Sequence, residues 1–294
     1  LGGGIGGGGG RAGGLQLLQQ GRAQCPPGRR FLCVEQGGRL GRIALRQGLH
    51  VLLGYTDYDL AAEERLIRAM LSRRPEAIVV TGGHHTPGAR TLLQAAGIPV
   101  VETWDMLAEP VEHTVGFSNA EAVGALVRAL HGKGYRNIAF LGGVPESDAR
   151  GADRRRGFVD AMRSLGLDAE RVLSVGHAPV SMADGAQGVA QLLLRWPDVD
   201  AVVCVSDHPA FGALMECQRR GWAVPGRIGI AGFGGFEVSA ACEPQITTVA
   251  VDCHGLGRAA GELLVRAIDA ARQGRRLAAE TVVVPYRIDW RGST

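Results

Sequence analysis

A carboxylate that closely follows an apolar run is the clearest chemical signal in this chain. Asp207 comes two residues after the run "AVVCV" (Ala201–Val205) and is followed by His208, Pro209 and a helix-like pattern. An acidic residue near a helix N-terminus, with proline in the first turn, is typical of a helix start. Polar residues at the carboxyl end of a parallel strand also face the ligand site of an open sheet. We therefore expect Asp207 to start a helix and to accept hydrogen bonds from a ligand.

An arginine-rich stretch, "DARGADRRRGFVDAM" (Asp148–Met162), offers the opposite charge. Arg155 and Arg156 are typical of a solvated helix face, whereas Arg154 lies at the start of the helix, three residues before Gly157. A guanidinium binds a carboxylate or vicinal hydroxyl groups through paired hydrogen bonds. Arg154 is therefore predicted to bind a sugar or a sugar acid.

Other polar or aromatic side chains follow the remaining apolar runs. Trp104 follows "VVET", where it packs either in the core or against a sugar ring. His177 follows "LSV" and is a further candidate for ligand binding. His84 and His85 are adjacent, so their side chains diverge, and no third ligand is spaced nearby to hold a metal ion. We expect neither a metal nor a cofactor.

Motifs of common enzyme classes are missing from the sequence. It contains no Gly-x-Ser-x-Gly, no His-Glu-x-x-His and no dinucleotide-binding fingerprint after a strand. The glycine-rich beginning follows no strand and leads to no Gly-Lys-Ser/Thr, so it does not indicate a phosphate-binding loop. The chain is predicted not to be an enzyme.

From Phe31 onward, short apolar runs alternate with amphipathic helical patterns, which predicts parallel sheets covered on both faces. Eight or nine strand-like runs in 294 residues exceed one compact open sheet and favour two doubly wound lobes. A barrel of eight βα units fits the same count. Residues 1–30, rich in glycine and arginine, are predicted to form a disordered tail.

Composition favours a cytoplasmic protein. The net charge of +3 is too small to indicate a nucleic-acid surface by itself. Six cysteines without a Cys-x-x-Cys pair indicate reduced thiols. No apolar stretch approaches the roughly 18 residues that a membrane span needs, and the beginning lacks the order of a signal peptide.

Several separate motifs, in their order and spacing, resemble the effector-binding core of LacI/GalR-family transcription regulators. They are "VGFSNAEAVGALVRALHGKGYRNIAFLGG", "RRRGFVDAM", "VSDHPAFGALMECQRRGWAVPGRIGIAGF" and "EPQITTVAVD". The stretches "VETWD", "FGALMECQRRG" and "RGST" are similar to the subgroup that regulates gluconate use. The resemblance covers the chain from about Leu49 to Thr294.

The resemblance implies a periplasmic-binding-protein-like type I fold. Two doubly wound parallel-sheet lobes would be joined by three crossovers, with the effector between them, and the protein would be a homodimer. We expect the N-terminal lobe to comprise residues 31–134 and 250–275, and the C-terminal lobe residues 135–249 and 276–294.

The resemblance also implies roles for particular residues. Arg154 matches the family's ligand-clamping arginine, and Asp207 matches the acid or amide that accepts effector hydroxyl groups. Trp104 matches an aromatic wall, while Ser118 and Asn119 match an Asp-Asn pair. Arg154 and Asp207 are expected to face each other across the gap between the lobes.

Two departures from the family pattern stand out. Gly234 occupies a position where the family commonly has an acid, and the loss of a carboxylate there suits an anionic effector. The DNA-binding headpiece is absent, as is the usual first strand, and Phe31–Gly48 stands in that place without the family's turn residues. We expect a truncated or out-of-frame start before a genuine core, and operator DNA binding only through a headpiece not present in this chain.

The leading interpretation is the sensor core of a LacI-type transcriptional repressor. A small sugar or sugar acid such as gluconate would close the lobes, and closure would change operator affinity. The alternative is a solute-binding protein of a sugar transporter, which shares the fold and which a signal peptide would distinguish. A third interpretation, an enzyme acting on sugars or nucleotides, would be recognised by turnover of a bound sugar.

Overall fold

The computed structural model describes residues 31–34 and 38–294. Within these residues the chain forms two open sheets of six strands each. The predicted two doubly wound lobes are confirmed, and the closed barrel is excluded because neither sheet closes on itself. The disordered tail predicted for residues 1–30 lies outside the described residues.

The first sheet is entirely parallel. Its strands Ala77–Thr81, Val100–Thr103 and His113–Gly116 are almost completely buried. This burial explains why runs such as "AIVVT" are continuously apolar instead of alternating with polar residues. Its strands, in spatial order, are β11 (Thr281–Val283), β5 (His113–Gly116), β4 (Val100–Thr103), β3 (Ala77–Thr81), β1 (Phe31–Val34) and β2 (His50–Leu53).

Strand β1 corrects one sequence prediction. The usual first strand was expected to be absent, yet β1 pairs in parallel with both β2 and β3. The short apolar run "FLCV" is sufficient for a strand between two neighbours in a parallel sheet, even without the family's turn residues. The first lobe therefore has a strand at this position.

The second sheet has the same pattern, except that its last strand runs antiparallel to β10. Its strands, in spatial order, are β12 (Tyr286–Asp289), β10 (Thr247–Val251), β9 (Gly229–Gly234), β8 (Ala201–Cys204), β6 (Ile138–Gly142) and β7 (Val172–Ser174).

The helices that follow the strands are α1 (Gly38–Arg46), α2 (Leu60–Leu71), α3 (Pro87–Gln94), α4 (Asn119–Gly132), α5 (Ala149–Ser164), α6 (Met182–Arg195), α7 (Asp207–Arg219), α8 (Glu237–Ala240) and α9 (Cys253–Arg272).

The chain passes between the two lobes three times, as expected. The crossovers are residues 117–118 between β5 and α4, Asp252 between β10 and α9, and Val284–Pro285 between β11 and β12. Helix α4 belongs to the second lobe because it packs against α5, where a methyl group on Gly157 would collide with the Ala120 carbonyl oxygen. Helix α9 packs against α1, β4 and β5 of the first lobe.

These crossovers differ from the boundaries expected after residues 134, 249 and 275. Helix α4 lies in the second lobe instead of the first, and β11 lies in the first lobe instead of the second. The run "ETVVVPY" looks like one strand, but Pro285 divides it into parts that join different sheets. Proline has no backbone N–H to donate to a sheet, which explains the break.

None of the nine described helices, α1 to α9, combines the length and the apolar character that crossing a membrane requires.

Candidate functional site

Two adjoining cavities lie between the lobes, at the carboxyl ends of the strands. The larger has a volume of about 730 Å³ and the smaller about 200 Å³. The first lobe contributes Trp104 to the larger cavity, and the second lobe contributes Arg154 and Phe233. Tyr58 and Arg150, one from each lobe, line both cavities. A cleft at this edge of two open α/β sheets is where such folds bind small ligands.

Two of the three guanidinium nitrogens of Arg154 donate hydrogen bonds within its own lobe. Its Nε donates to Oδ1 of Asn119 at 2.8 Å, and its Nη1 donates to the carbonyl oxygen of Val205 at 3.0 Å. Its Cζ lies 3.9 Å from the ring centroid of Phe233. The Nη2 nitrogen makes no hydrogen bond to any residue that the structure describes. Burial lowers the pKa of Arg154 to about 10, so the group is charged at neutral pH.

Trp104 forms part of the first-lobe wall and has an unusual backbone conformation. Its φ is 71°, in the left-handed region that costs a non-glycine residue about 1–2 kcal/mol. The backbone is fixed by the Trp104 N–H, which donates to Val115 O at 3.1 Å. Gly116 allows this close approach, because a side chain there would collide with the Asp105 carbonyl oxygen. The ring meets Phe117 edge to face at 6.3 Å between centroids.

Asp207 differs from its predicted role in three respects. It is completely buried, and it does not line either cavity. Helix α7 begins at Asp207 as predicted, but the capping position is Ser206 and the Asp207 carboxylate makes no capping bond. Its Oδ1 accepts from Thr248 Oγ1 at 2.6 Å, and its Oδ2 accepts from the Phe236 N–H at 2.7 Å. Burial raises the pKa of Asp207, and these hydrogen bonds oppose the rise.

The expectation that Arg154 and Asp207 face each other across the gap is wrong. Both belong to the second lobe, where Arg154 bonds the Val205 carbonyl two residues before Asp207. From the sequence alone, an Asp207 carboxylate that faces the cleft cannot be distinguished from one that faces the loop containing Phe236.

The remaining predicted residues lie around the cleft without lining either cavity. Ser118 caps α4, because its Oγ accepts from the Glu121 N–H at 3.1 Å. Asn119 is 1% exposed, and its Oδ1 accepts from Arg154 Nε outside the cavity lining. His177 is exposed on the loop between β7 and α6.

Sequence reasoning missed Arg150 and Tyr58. Arg150 lies four residues before Arg154 on α5, and this spacing places both on one helix face, so the spacing could have identified it. Its Cζ lies 5.5 Å from the ring centroid of Tyr58. This contact joins the two lobes across the opening between the cavities.

The smaller cavity has an acidic wall in the first lobe. Asp105 is 3% exposed, and its Oδ1 accepts from the Met106 N–H at 2.9 Å. Its Oδ2 has no hydrogen-bond partner among the described residues and lies 3.9 Å from Nδ1 of His84. Burial raises the pKa of Asp105. The cleft therefore has arginines in the second lobe and a buried carboxyl group in the first.

His84 and His85 diverge as predicted, and His85 is buried between two carboxylates. Its Nδ1 lies 2.5 Å from Glu63 Oε1, and its Nε2 lies 3.3 Å from Glu102 Oε1. Burial alone would lower the pKa of His85, but the Glu102 and Glu63 contacts outweigh it and raise the pKa to about 9. Among the described residues, no group of three or more His, Cys, Asp or Glu side chains is arranged to hold a metal ion. The arrangement is an ion-paired histidinium that joins α2, β4 and the loop after β3.

This histidinium predicts a pH-dependent stability. Its pKa rises from an ordinary 6.5 to about 9 in the folded state, so its stabilisation is complete below pH 6.5 and is lost as the pH rises through 9. The shift corresponds to about 3 kcal/mol. We expect urea unfolding of the wild type to show this loss and His85→Gln to lack it. Equal pH slopes for both proteins would contradict the prediction.

The fold and the cleft define a class: a two-lobed, periplasmic-binding-protein-like protein with a cavity between the lobes. Residues 127–294 match the family described as periplasmic binding protein-like domain. The chain is 32% identical over 221 residues to the HTH-type transcriptional regulator GntR of Escherichia coli K12, covering 75% of this chain and 66% of that protein. The GntR of Pseudomonas aeruginosa PAO1 is 34% identical over 222 residues, covering 76% of this chain and 64% of that protein.

Solved structures of two transcriptional regulators have the same fold as this chain. A LacI family transcriptional regulator from Silicibacter pomeroyi superimposes with a TM-score of 0.84 at 39% identity, covering 90% of this chain and 98% of that chain. The transcription regulator GntR from Chromobacterium violaceum gives 0.81 at 31% identity, covering 90% and 99%. The chain belongs to the LacI family of periplasmic-binding-protein-like regulators. It spans slightly less than two thirds of the length of the two GntR relatives from Escherichia coli and Pseudomonas aeruginosa. That these relatives are regulators favours a regulator core over a transporter's solute-binding protein or an enzyme.

Proposed function

We propose that this chain is the effector-binding core of a LacI-type transcriptional repressor and that its effector is a sugar acid such as gluconate. The observation that carries the proposal is Arg154, whose Nη2 is left for a ligand at the larger cavity while the protein holds Nε and Nη1. Arg150, one turn earlier on α5, lines the same cavity. Two guanidinium groups at one end of a cleft favour a carboxylate.

The rest of the larger cavity suits a polyhydroxy chain. Trp104 and Phe236 present aromatic rings against which C–H groups can pack, and Ser206 and Asp148 supply polar groups for hydroxyls. At the first-lobe end, Asp105 lines the adjoining smaller cavity, and its buried Oδ2 has no hydrogen-bond partner among the described residues.

Gly234 supports an anionic ligand for a structural reason. Its φ is 125°, a conformation that side-chain-bearing residues rarely adopt, and an added Cβ would collide with the Phe236 ring. The cavity wall next to Phe233 is therefore formed by backbone, and no carboxylate there repels an acid.

Ligand binding would act through lobe closure. The cavity takes Tyr58 and Trp104 from the first lobe and Arg154 from the second, so a ligand that contacts both lobes favours the closed state. We assign residues 31–34, 38–116 and 253–283 to the first lobe and residues 119–251 and 286–294 to the second. We further propose that the protein is a cytoplasmic homodimer and that closure alters its affinity for operator DNA.

A matched pair of ligands tests the proposal. D-gluconate and D-sorbitol share the same hydroxyl chain and differ in the carboxylate. We expect gluconate, and not sorbitol, to stabilise the protein in thermal unfolding, by about 2.7 kcal/mol at a hundred times its dissociation constant. Isothermal titration calorimetry then gives the affinity. Equal or tighter binding of sorbitol would rule out a sugar-acid effector.

A further inference from the structure

The side chain of Asn119 joins the two lobes behind the ligand cleft. Its Oδ1 accepts from Arg154 Nε of the second lobe at 2.8 Å, and its Nδ2 donates to the carbonyl oxygen of Trp104 of the first lobe at 3.1 Å. The residue is 1% exposed. Both ends of the amide therefore contact protein, and a ligand in the cleft meets Arg154 and Trp104 instead.

Asn119 lies directly beside a crossover between the lobes. It is the first residue of α4 and directly follows the crossover at residues 117–118. Its partner carbonyl belongs to Trp104, whose φ of 71° is retained only because the surrounding contacts hold it. Breaking the Asn119 bond would remove one of those contacts.

A row of aromatic contacts runs beside this polar link. The Arg154 guanidinium lies over Phe233, whose centroid is 6.1 Å from that of Phe117, and Phe117 in turn meets Trp104 at 6.3 Å. Phe117 and Phe233 are buried. A shift of Arg154 therefore displaces Trp104 through the close packing of these rings as well as through Asn119.

We propose that Asn119 is a positioning residue that couples the ligand-facing guanidinium of Arg154 to the backbone of Trp104, so that binding at Arg154 sets the angle between the lobes. This inference rests on the proposed function only in that a ligand contacts Arg154. Coupling of this kind requires an element with two arrangements that the ligand biases. The Trp104 peptide, held in the left-handed region and bonded across the crossover, is that element.

Three variants separate coupling from folding and from ligand contact. Asn119→Asp keeps an acceptor for Arg154 but loses the donor to the Trp104 carbonyl oxygen. Asn119→Ala loses both bonds. Ser118→Ala, the matched control, removes the neighbouring cap of α4 and leaves the link between the lobes intact.

The measurement is the distance distribution between spin labels carried by unnatural amino acids at Gln94 in the first lobe and Gln191 in the second, both exposed on helices. Without ligand, we expect narrow distributions for the wild type and Ser118→Ala and broad ones for both Asn119 variants. With saturating D-gluconate, the distance in the wild type shortens, whereas Asn119→Asp retains about half of that change or less. Its affinity for gluconate falls less than that of Arg154→Ala, because Arg154 still contacts the ligand although the new carboxylate beside it repels an anion.

Wild-type distributions in both Asn119 variants would overturn the coupling role. A loss of gluconate affinity in Asn119→Asp as large as in Arg154→Ala, with closure intact, would also overturn it, because Asn119 would then be a ligand contact. If the wild type does not bind gluconate, the proposed function fails, while the distributions without ligand still decide whether Asn119 links the lobes.

Discussion

Arg154→Ala is expected to weaken D-gluconate binding by about 30-fold or more, because truncating one partner of a buried, charged hydrogen bond costs about 2–5 kcal/mol. Arg154→Lys keeps the charge but not the planar fork, so its loss is intermediate. Isothermal titration calorimetry measures both. Because the pKa of Arg154 is about 10, wild-type affinity should be constant through neutral pH and fall as the pH rises through that value.

A second arginine on the same helix provides the control. Arg163, in the last turn of α5, is exposed and far along the helix from the cavity lining, so Arg163→Ala should bind gluconate as the wild type does. Wild-type affinity in Arg154→Ala would remove the basis of the proposed function.

Asp207→Ala is expected to destabilise the second lobe by about 3 kcal/mol, because it removes the acceptor of the buried Thr248 hydroxyl group at 2.6 Å and the acceptor of the Phe236 N–H. Those donors are Thr248 Oγ1 and the Phe236 backbone, which the carboxylate now ties together. Asp207→Asn can still accept from Phe236 and donate to Thr248, so it should cost less than about 1 kcal/mol. Urea unfolding monitored by circular dichroism measures both.

The variants Asp207→Ala and Asp207→Asn also distinguish two roles for Asp207. If its oxygens hold the Phe236 loop, Asp207→Asn retains gluconate affinity. If they accept ligand hydroxyl groups, as the sequence suggested, Asp207→Asn loses affinity while remaining folded. A stable Asp207→Ala protein would contradict the structural role directly.

Local patterns were sufficient to predict the fold. Continuous apolar runs separated by amphipathic helices require parallel sheets covered on both faces, and the number of runs favoured two lobes. The start of α7 was predicted correctly from Asp207 and Pro209. Ser118 caps α4 by accepting from the Glu121 N–H, a contact between residues within one turn of the helix.

The site was predicted less completely, because the direction of a side chain depends on tertiary neighbours. Arg154 and Trp104 line the cavity, whereas Asp207 turns inward to Thr248, 41 positions away in sequence. The sequence related Asn119 to a family motif. Its two hydrogen-bond partners, Trp104 and Arg154, lie in different lobes, and sequence spacing does not predict contacts of this kind. The third crossover was predicted after residue 275 instead of at Val284–Pro285, because these two residues lie within an apolar run that looks like one strand.

The brevity of the three crossovers limits how the molecule can move. They comprise residues 117–118, Asp252 and Val284–Pro285, and a connector of two residues spans at most about 7 Å. Such short tethers prevent one half from sliding past the other, and the fixed φ of Pro285 removes one of the few free torsions. The three connectors therefore restrict any opening or closing of the cleft to a rotation about an axis near these three points, with the largest displacement at the rim where Tyr58 meets Arg150.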